Sequence, residues 1–268
     1  MVPIRHMLGR DMLPRVVTGL VGAPIILILT YLGAPLFNFG ANLAGIIGGV
    51  ELAHMIRPGH HRLALLITLG ILTLTTAIWL NVLPVALLVM LAFVLVGLLE
   101  NREQRGVSLR HYAYALGGAL YIGLSMGVLT LIRAGENGFL WTLMLLLNNW
   151  FTDSFAMIGG RLFGKHKLAP TISPGKTVEG ALVGLIMGFL AGFTLAVIGE
   201  LPLNIALVAN IFVAVATGTG DLIESLLKRY LRVKDSGSLL PGHGGFLDRM
   251  DGTLLAAPTL FLILALLG

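Results

Sequence analysis

The stretch "GALVGLIMGFLAGFTLAVIG", residues 180–199, decides the fold class. It carries no charge, and it has about the twenty residues that one α-helix needs to cross a bilayer. Similar apolar runs recur along the chain, at roughly 16–34, 36–56, 63–80, 82–99, 112–132, 139–159, 180–199, 203–224 and 251–267, with short polar segments between them. Of the 268 residues 56% are hydrophobic and 12% charged, where a soluble domain carries about 25% charged residues. The expectation is an all-α polytopic integral membrane protein of about nine transmembrane helices. Cysteine is absent, which removes disulfides, thiolate ligands and thiol nucleophiles from consideration. The first apolar run follows Arg5, Arg10 and Arg15 and is too long for a secretory leader, so it is read as a retained span.

Lysine and arginine accumulate in cytoplasmic loops of membrane proteins. With the N-terminus inside and nine spans, every one of the 18 lysines and arginines except Arg133 falls on the cytoplasmic side. That segregation predicts a cytoplasmic N-terminus and an outside C-terminus, in the cytoplasmic (inner) membrane. The net charge of +5 then faces anionic lipid and gives no reason to expect nucleic acid. Tyr31, Trp79 and Trp141 fall at expected outer boundaries. Residues 1–134 read as N-terminal helices that are structural, lipid-facing and available for dimerisation. Residues 135–268 read as the catalytic region, with two long cytoplasmic loops at 160–179 and 225–250. Gly180, Gly184, Gly188 and Gly192 recur every fourth residue, and Gly45/Gly49 and Gly123/Gly127 share that spacing; such small residues let helices approach closely, within one bundle in preference to a dimer face.

Chemistry concentrates near the end of the chain. In "GDLIESLLKRY", residues 220–230, Asp221, Glu224, Ser225 and Lys228 share one helical face, so a polar stripe enters the membrane boundary. The bland reading is an internal ion pair; the functional one is a site. The next stretch, "KDSGSLLPGHGGFLDRMDG" at 234–252, cannot continue a helix through Pro241, Gly242, Gly244 and Gly245. Such a loop brings amides and His243 close to a bound anion. Asp248 and Asp251, three residues apart, are expected on one face at the start of the last helix. Facing Asp221, they would suit a hard divalent cation such as Mg²⁺. The earlier loop, "GRLFGKHKLAPTISPGKTVEG" at 160–180, offers Lys165, Lys167, Ser173, Lys176 and Thr177 for an anionic substrate. It is not a Walker A motif, because Pro170 stands where that motif needs glycine, and "GTGDLI" at 218–223 has Ile223 where a dinucleotide fingerprint needs glycine or alanine.

Together these residues resemble the CDP-diacylglycerol synthases, or phosphatidate cytidylyltransferases. The family signature is matched in register by Ser225, Leu227, Lys228, Arg229, Lys234, Asp235, Gly237, Leu240, Pro241, His243, Gly244, Gly245, Phe246, Asp248, Arg249, Met250 and Asp251. The resemblance covers roughly residues 148–260. It implies transfer of CMP from CTP to phosphatidic acid, with Mg²⁺ required and K⁺ at a second metal position. A homodimer is expected. By resemblance, Asp221, Asp248 and Asp251 serve the metal and CTP phosphates, with Ser225 in the same cluster. Lys176 and Lys228 carry phosphate charge. Lys167, Ser173, Thr177, Arg229, Lys234, His243, Gly244, Gly245 and Arg249 complete the substrate-binding set, His243 as a hydrogen bonder. Asn149 and Asp153 read as a buried polar pair open to either a structural or a site role, and Glu51 with His54 as structural.

Two other classes remain: a CTP-dependent polyprenol or phytol kinase, which would deprotonate an alcohol, and an ion-coupled transporter using Asp153 and Asp221. Against the transporter, the ionisable residues gather at one face and do not mark a route across the membrane.

Overall fold

The computed structural model describes residues 12–102, 108–237, 239 and 244–268. Among them the apolar runs form nine α-helices: α1 (Met12–Leu32), α2 (Leu36–Ile56), α3 (His61–Trp79), α4 (Leu83–Arg102), α5 (Leu109–Ala134), α6 (Gly138–Phe163), α7 (Val178–Ile198), α8 (Leu203–Tyr230) and α9 (Asp251–Leu267). Five of these, α2, α3, α5, α7 and α8, are long and apolar enough to cross a membrane, and α1, α4 and α9 contain shorter apolar stretches. The chain is a multi-pass, overwhelmingly helical membrane protein.

Connections alternate in length. At one end of the bundle the turns are tight and pass through the left-handed region at Asn81, Asn137 and Glu200, each closing a connection of a few residues. Arg133 sits at that end, with its guanidinium on the last carbonyls of α1, at Thr30 and Tyr31. A cation at a helix C-terminus offsets the negative end of the helix dipole. At the other end lie the two long connections, α6 to α7 and α8 to α9. Tyr31 is 73% exposed, as an interfacial ring would be, but Trp141 is 5% exposed and belongs to the core, where α6 packs among its neighbours.

The glycine ladder of α7 is used inside the chain. A methyl group at Gly180 would come within 2.6 Å of the Ala156 carbonyl oxygen, and one at Gly184 within 2.5 Å of that of Thr152, so α6 and α7 touch backbone to backbone. Gly45 and Gly49 receive Ile71, and Gly127 receives Ile78, in the same manner. Asn148 ties α6 to α8 as well, donating to the Asn210 carbonyl at 2.9 Å.

Two expectations are corrected. The 160–179 segment is not a simple loop: α6 continues to Phe163, and an antiparallel hairpin follows, β1 (Lys167–Ala169) paired with β2 (Ser173–Thr177). The side chain of Glu179, in the first turn of α7, pins its base by accepting from the backbone amides of Lys165 and His166 at 3.0 and 3.2 Å. Asp248 and Asp251 do not share a helical face. Asp248 lies in a 3-10 turn, Leu247–Arg249, and α9 starts only at Asp251.

Candidate active site

The polar stripe of α8 divides as its spacing requires. Glu224 and Ser225 are buried, Lys228 is largely covered, and Ile223 and Leu226 are exposed on the opposite side. A lysine in such surroundings needs a counter-charge, and the 3-10 turn supplies one: Lys228 Nζ donates to Asp248 Oδ1 at 2.5 Å, with Glu224 Oε1 3.4 Å away. Asp248 Oδ2 accepts the backbone amides of Ser236 at 3.1 Å and Gly245 at 2.9 Å. Burial pushes the Asp248 carboxyl up, but the bond from Lys228 and the Gly245 amide outweigh it and hold its pKa at about 2. Asp248 is therefore an anion at any physiological pH. Its Oδ1 retains lone-pair capacity beyond the lysine.

Two turns before Lys228 on α8, Asp221 Oδ2 pairs with Lys176 Nζ of β2 at 2.7 Å, and Ser225 Oγ lies 3.4 Å from Asp221 Oδ1. This pair closes one side of a cavity of about 670 Å³ between α6, α7, α8 and the hairpin. Its lining is polar toward the hairpin, at Arg161, Ser173, Lys176 and Asp221, with Asp153 two turns further along α6, and apolar at residues such as Ala156, Met157, Ala181, Leu185 and Val215. Charged groups toward the hairpin and hydrocarbon walls beyond them suit a ligand with an anionic head and an apolar tail.

The remaining expected residues take distinct places. Thr177 lines the cavity but also caps α7, its Oγ1 accepting the Gly180 amide at 3.1 Å. Arg229 donates from Nε to the Ile172 carbonyl at 3.1 Å, tying α8 to the hairpin turn. Lys167, Lys234 and Arg249 are exposed at the same end. Gly244 has φ of +82°, a conformation that glycine adopts without strain, and Gly245 spends its amide on Asp248. His243 lies outside the described residues. Asn149 and Asp153 do not form a buried pair: Asn149 is 2% exposed and donates to Thr253 Oγ1 of α9 at 2.8 Å, while Asp153 opens onto the cavity. Arg161 was legible only as a loop charge, and its place in the cavity lining depends on α6 extending to Phe163.

Asp251 is 7% exposed and lies within electrostatic reach of Asp153, Asp221 and Glu224. Among the described residues, no three Asp, Glu or His side chains converge at ligating distance on one point. The donor chemistry nonetheless fits a hard cation. The buried oxygens Asn149 Oδ1, Thr217 Oγ1 and Glu224 Oε2 lack hydrogen-bond partners, and all are the oxygen donors that Mg²⁺ or K⁺ prefers.

A helical membrane bundle with a carboxylate and lysine cluster at one end, opening onto a half-apolar cavity, defines a membrane enzyme acting on a charged amphiphile. The comparisons narrow that class. The model of the cytidylyltransferase family matches residues 13–267, and the chain belongs to that family. It is 33% identical to a phosphatidate cytidylyltransferase of Staphylococcus haemolyticus over 93% of this chain and 98% of that protein. It is 32% identical to one from Bacillus subtilis over 96% and 98%, and 37% identical to one from Staphylococcus saprophyticus over 69% and 71%.

Proposed function

We propose that the protein transfers the cytidylyl group of CTP to phosphatidic acid, forming CDP-diacylglycerol and pyrophosphate. The observation that carries this reading is the cavity lined by the Lys176–Asp221 pair and by the apolar side chains of Ala156, Met157, Ala181 and Leu185. A lipid phosphate oxygen attacks the α-phosphorus of CTP, and the bond from that phosphorus to the bridging oxygen of the β-phosphate breaks. The attacking group is largely ionised near neutral pH, given a second phosphate pKa of about 6, so no strong general base is required. The protein's work is to screen two anions and align them. In this reading Lys176 and Arg161, which line the cavity, receive the lipid phosphate, and Lys228, paired with Asp248, offsets phosphate charge.

Mg²⁺ would be held by Asp221, Asp248 and Asp251, with K⁺ as the expected second ion. Bound there, a divalent cation supplies charge neutralisation of the nucleotide phosphates. Lys167, Lys234, Arg249 and His243 belong to the same reading as phosphate contacts, as does Ser173 in the cavity lining. Nine spans, a cytoplasmic N-terminus and an outside C-terminus in the inner membrane follow the positive-inside distribution, which puts the site on the cytoplasmic side. A homodimer would use the N-terminal helices, because the α7 ladder is occupied within the chain and α4 exposes Leu87, Leu88 and Leu91.

Differently labelled CTP tests the chemistry. Transfer of label from the α-phosphate to lipid supports cytidylyl transfer. Transfer from the γ-phosphate to a lipid alcohol would replace this reading with a kinase.

A further inference from the structure

The connection between α8 and α9 is held from outside the C-terminal region, by Glu51 of α2. Its carboxylate is 8% exposed and takes three donors from both described arms of that connection. Oε1 accepts the Phe246 amide at 2.8 Å; Oε2 accepts the Leu247 amide at 2.8 Å and the Ser236 hydroxyl at 3.0 Å. Ser236 passes the constraint on, because its amide donates to Asp248 Oδ2 at 3.1 Å and its Oγ accepts the Asp248 amide at 3.3 Å. The backbone makes room for this carboxylate: a methyl at Gly237 would meet Glu51 Oε1 at 2.7 Å, and one at Gly245 would meet Glu51 Oε2 at 2.7 Å. His54, one turn away on α2, points outward and is exposed.

We propose that Glu51 is a positioning residue for the reaction, fixing through Ser236 and the Phe246 and Leu247 amides the 3-10 turn that presents Asp248 to Lys228. This rests on the cytidylyl-transfer reading. Every donor to Glu51 named above lies within three residues of Asp248 or, in Ser236, bonds it directly. A carboxylate that served only to fasten α2 to the bundle would have no need of that set. Glu51→Gln keeps the shape but replaces one acceptor by an NH₂ group, which then faces a backbone or hydroxyl donor. The anchored turn loses at least one of its three ties, and Asp248 loses its fixed orientation.

The test compares wild type, Glu51→Gln, Ser236→Ala, the double variant and His54→Asn as purified full-length protein in mixed micelles, with folded fraction measured by thermal unfolding. The expected result is a kcat for folded Glu51→Gln lowered about 10- to 100-fold, the range seen when residues that orient an active carboxylate are lost. KM for CTP and for phosphatidic acid should stay within about threefold, since substrate contacts are intact. The double variant should lose less than the product of the single losses, because both act through one turn, and His54→Asn should match wild type. Wild-type kcat in the folded Glu51→Gln protein, with only a lowered melting temperature, would overturn the proposal. Should Glu51→Gln not accumulate, Ser236→Ala decides: a reduced kcat at unchanged melting temperature supports the proposal, and a wild-type kcat overturns it. If the wild-type protein makes no CDP-lipid, the cytidylyl-transfer reading itself falls; an active wild type with unaffected variants overturns only the role of Glu51.

Discussion

Asp248→Asn removes one charge and leaves the side-chain volume nearly unchanged, so its cost can be worked from the pair it breaks. Lys228 Nζ lies 2.5 Å from Asp248 Oδ1, and the Asp248 side chain is 8% exposed, so solvent screening is small. A fall of the carboxyl pKa from 3.8 to about 2 on folding is worth about 2.5 kcal/mol of stability. Because the folded value lies below the unfolded one, that contribution is complete above about pH 4 and is lost as pH falls through about 2. The asparagine variant should therefore be less stable than wild type by about 2 to 3 kcal/mol at pH 7. The gap should persist unchanged from pH 5 to 8, narrow below about pH 4 and close as pH falls through about 2. Denaturant unfolding in detergent at several pH values measures it. Equal stability of the two proteins at pH 7 would refute the ion pair, and a gap that opened only between pH 6 and 8 would assign it to another group.

Lys176→Met breaks a pair whose side chains are 24% and 32% exposed, so stability should change by about 1 kcal/mol while turnover falls at least about tenfold; parallel melting and kinetic measurements separate the two. Ala181→Trp fills the apolar part of the cavity and should raise KM for phosphatidic acid about tenfold, with KM for CTP nearly unchanged in the same assay. Gly184→Leu should cost about 3 kcal/mol or more by forcing α6 from α7, seen as lost monodisperse protein, whereas Ile186→Ala, on a face 53% exposed, should be near neutral. Single cysteines at Lys167 and at Glu136, introduced into this cysteine-free chain, should label with an impermeant maleimide from opposite sides of sealed vesicles.

The helices were legible because a bilayer-length apolar run has few alternatives, and residues 36–56 and 251–267 fall where such runs do. The hairpin at 167–177 was not, because "APTISPGKT" holds two prolines and a glycine and shows no sustained alternation. Spacing also misplaced Asp248 relative to Asp251. Three residues mean one face only in an α-helix, and amide bonds to Asp248 and Glu51 fix a 3-10 turn there instead. The Lys228 to Asp248 contact was implicit in the polar stripe of α8, which needed a partner. The role of Glu51 could not be read from local pattern, since its donor Phe246 lies 195 residues away and only the packing of α2 against the Leu247–Arg249 turn brings them together.

The most direct measurement is product formation by purified protein in mixed micelles containing CTP, phosphatidic acid and Mg²⁺, with each omitted in turn. Pyrophosphate and CDP-diacylglycerol appearing in equal amounts, and only when all three are present, is the predicted result. Folded protein that gives neither product with all three present would contradict the account.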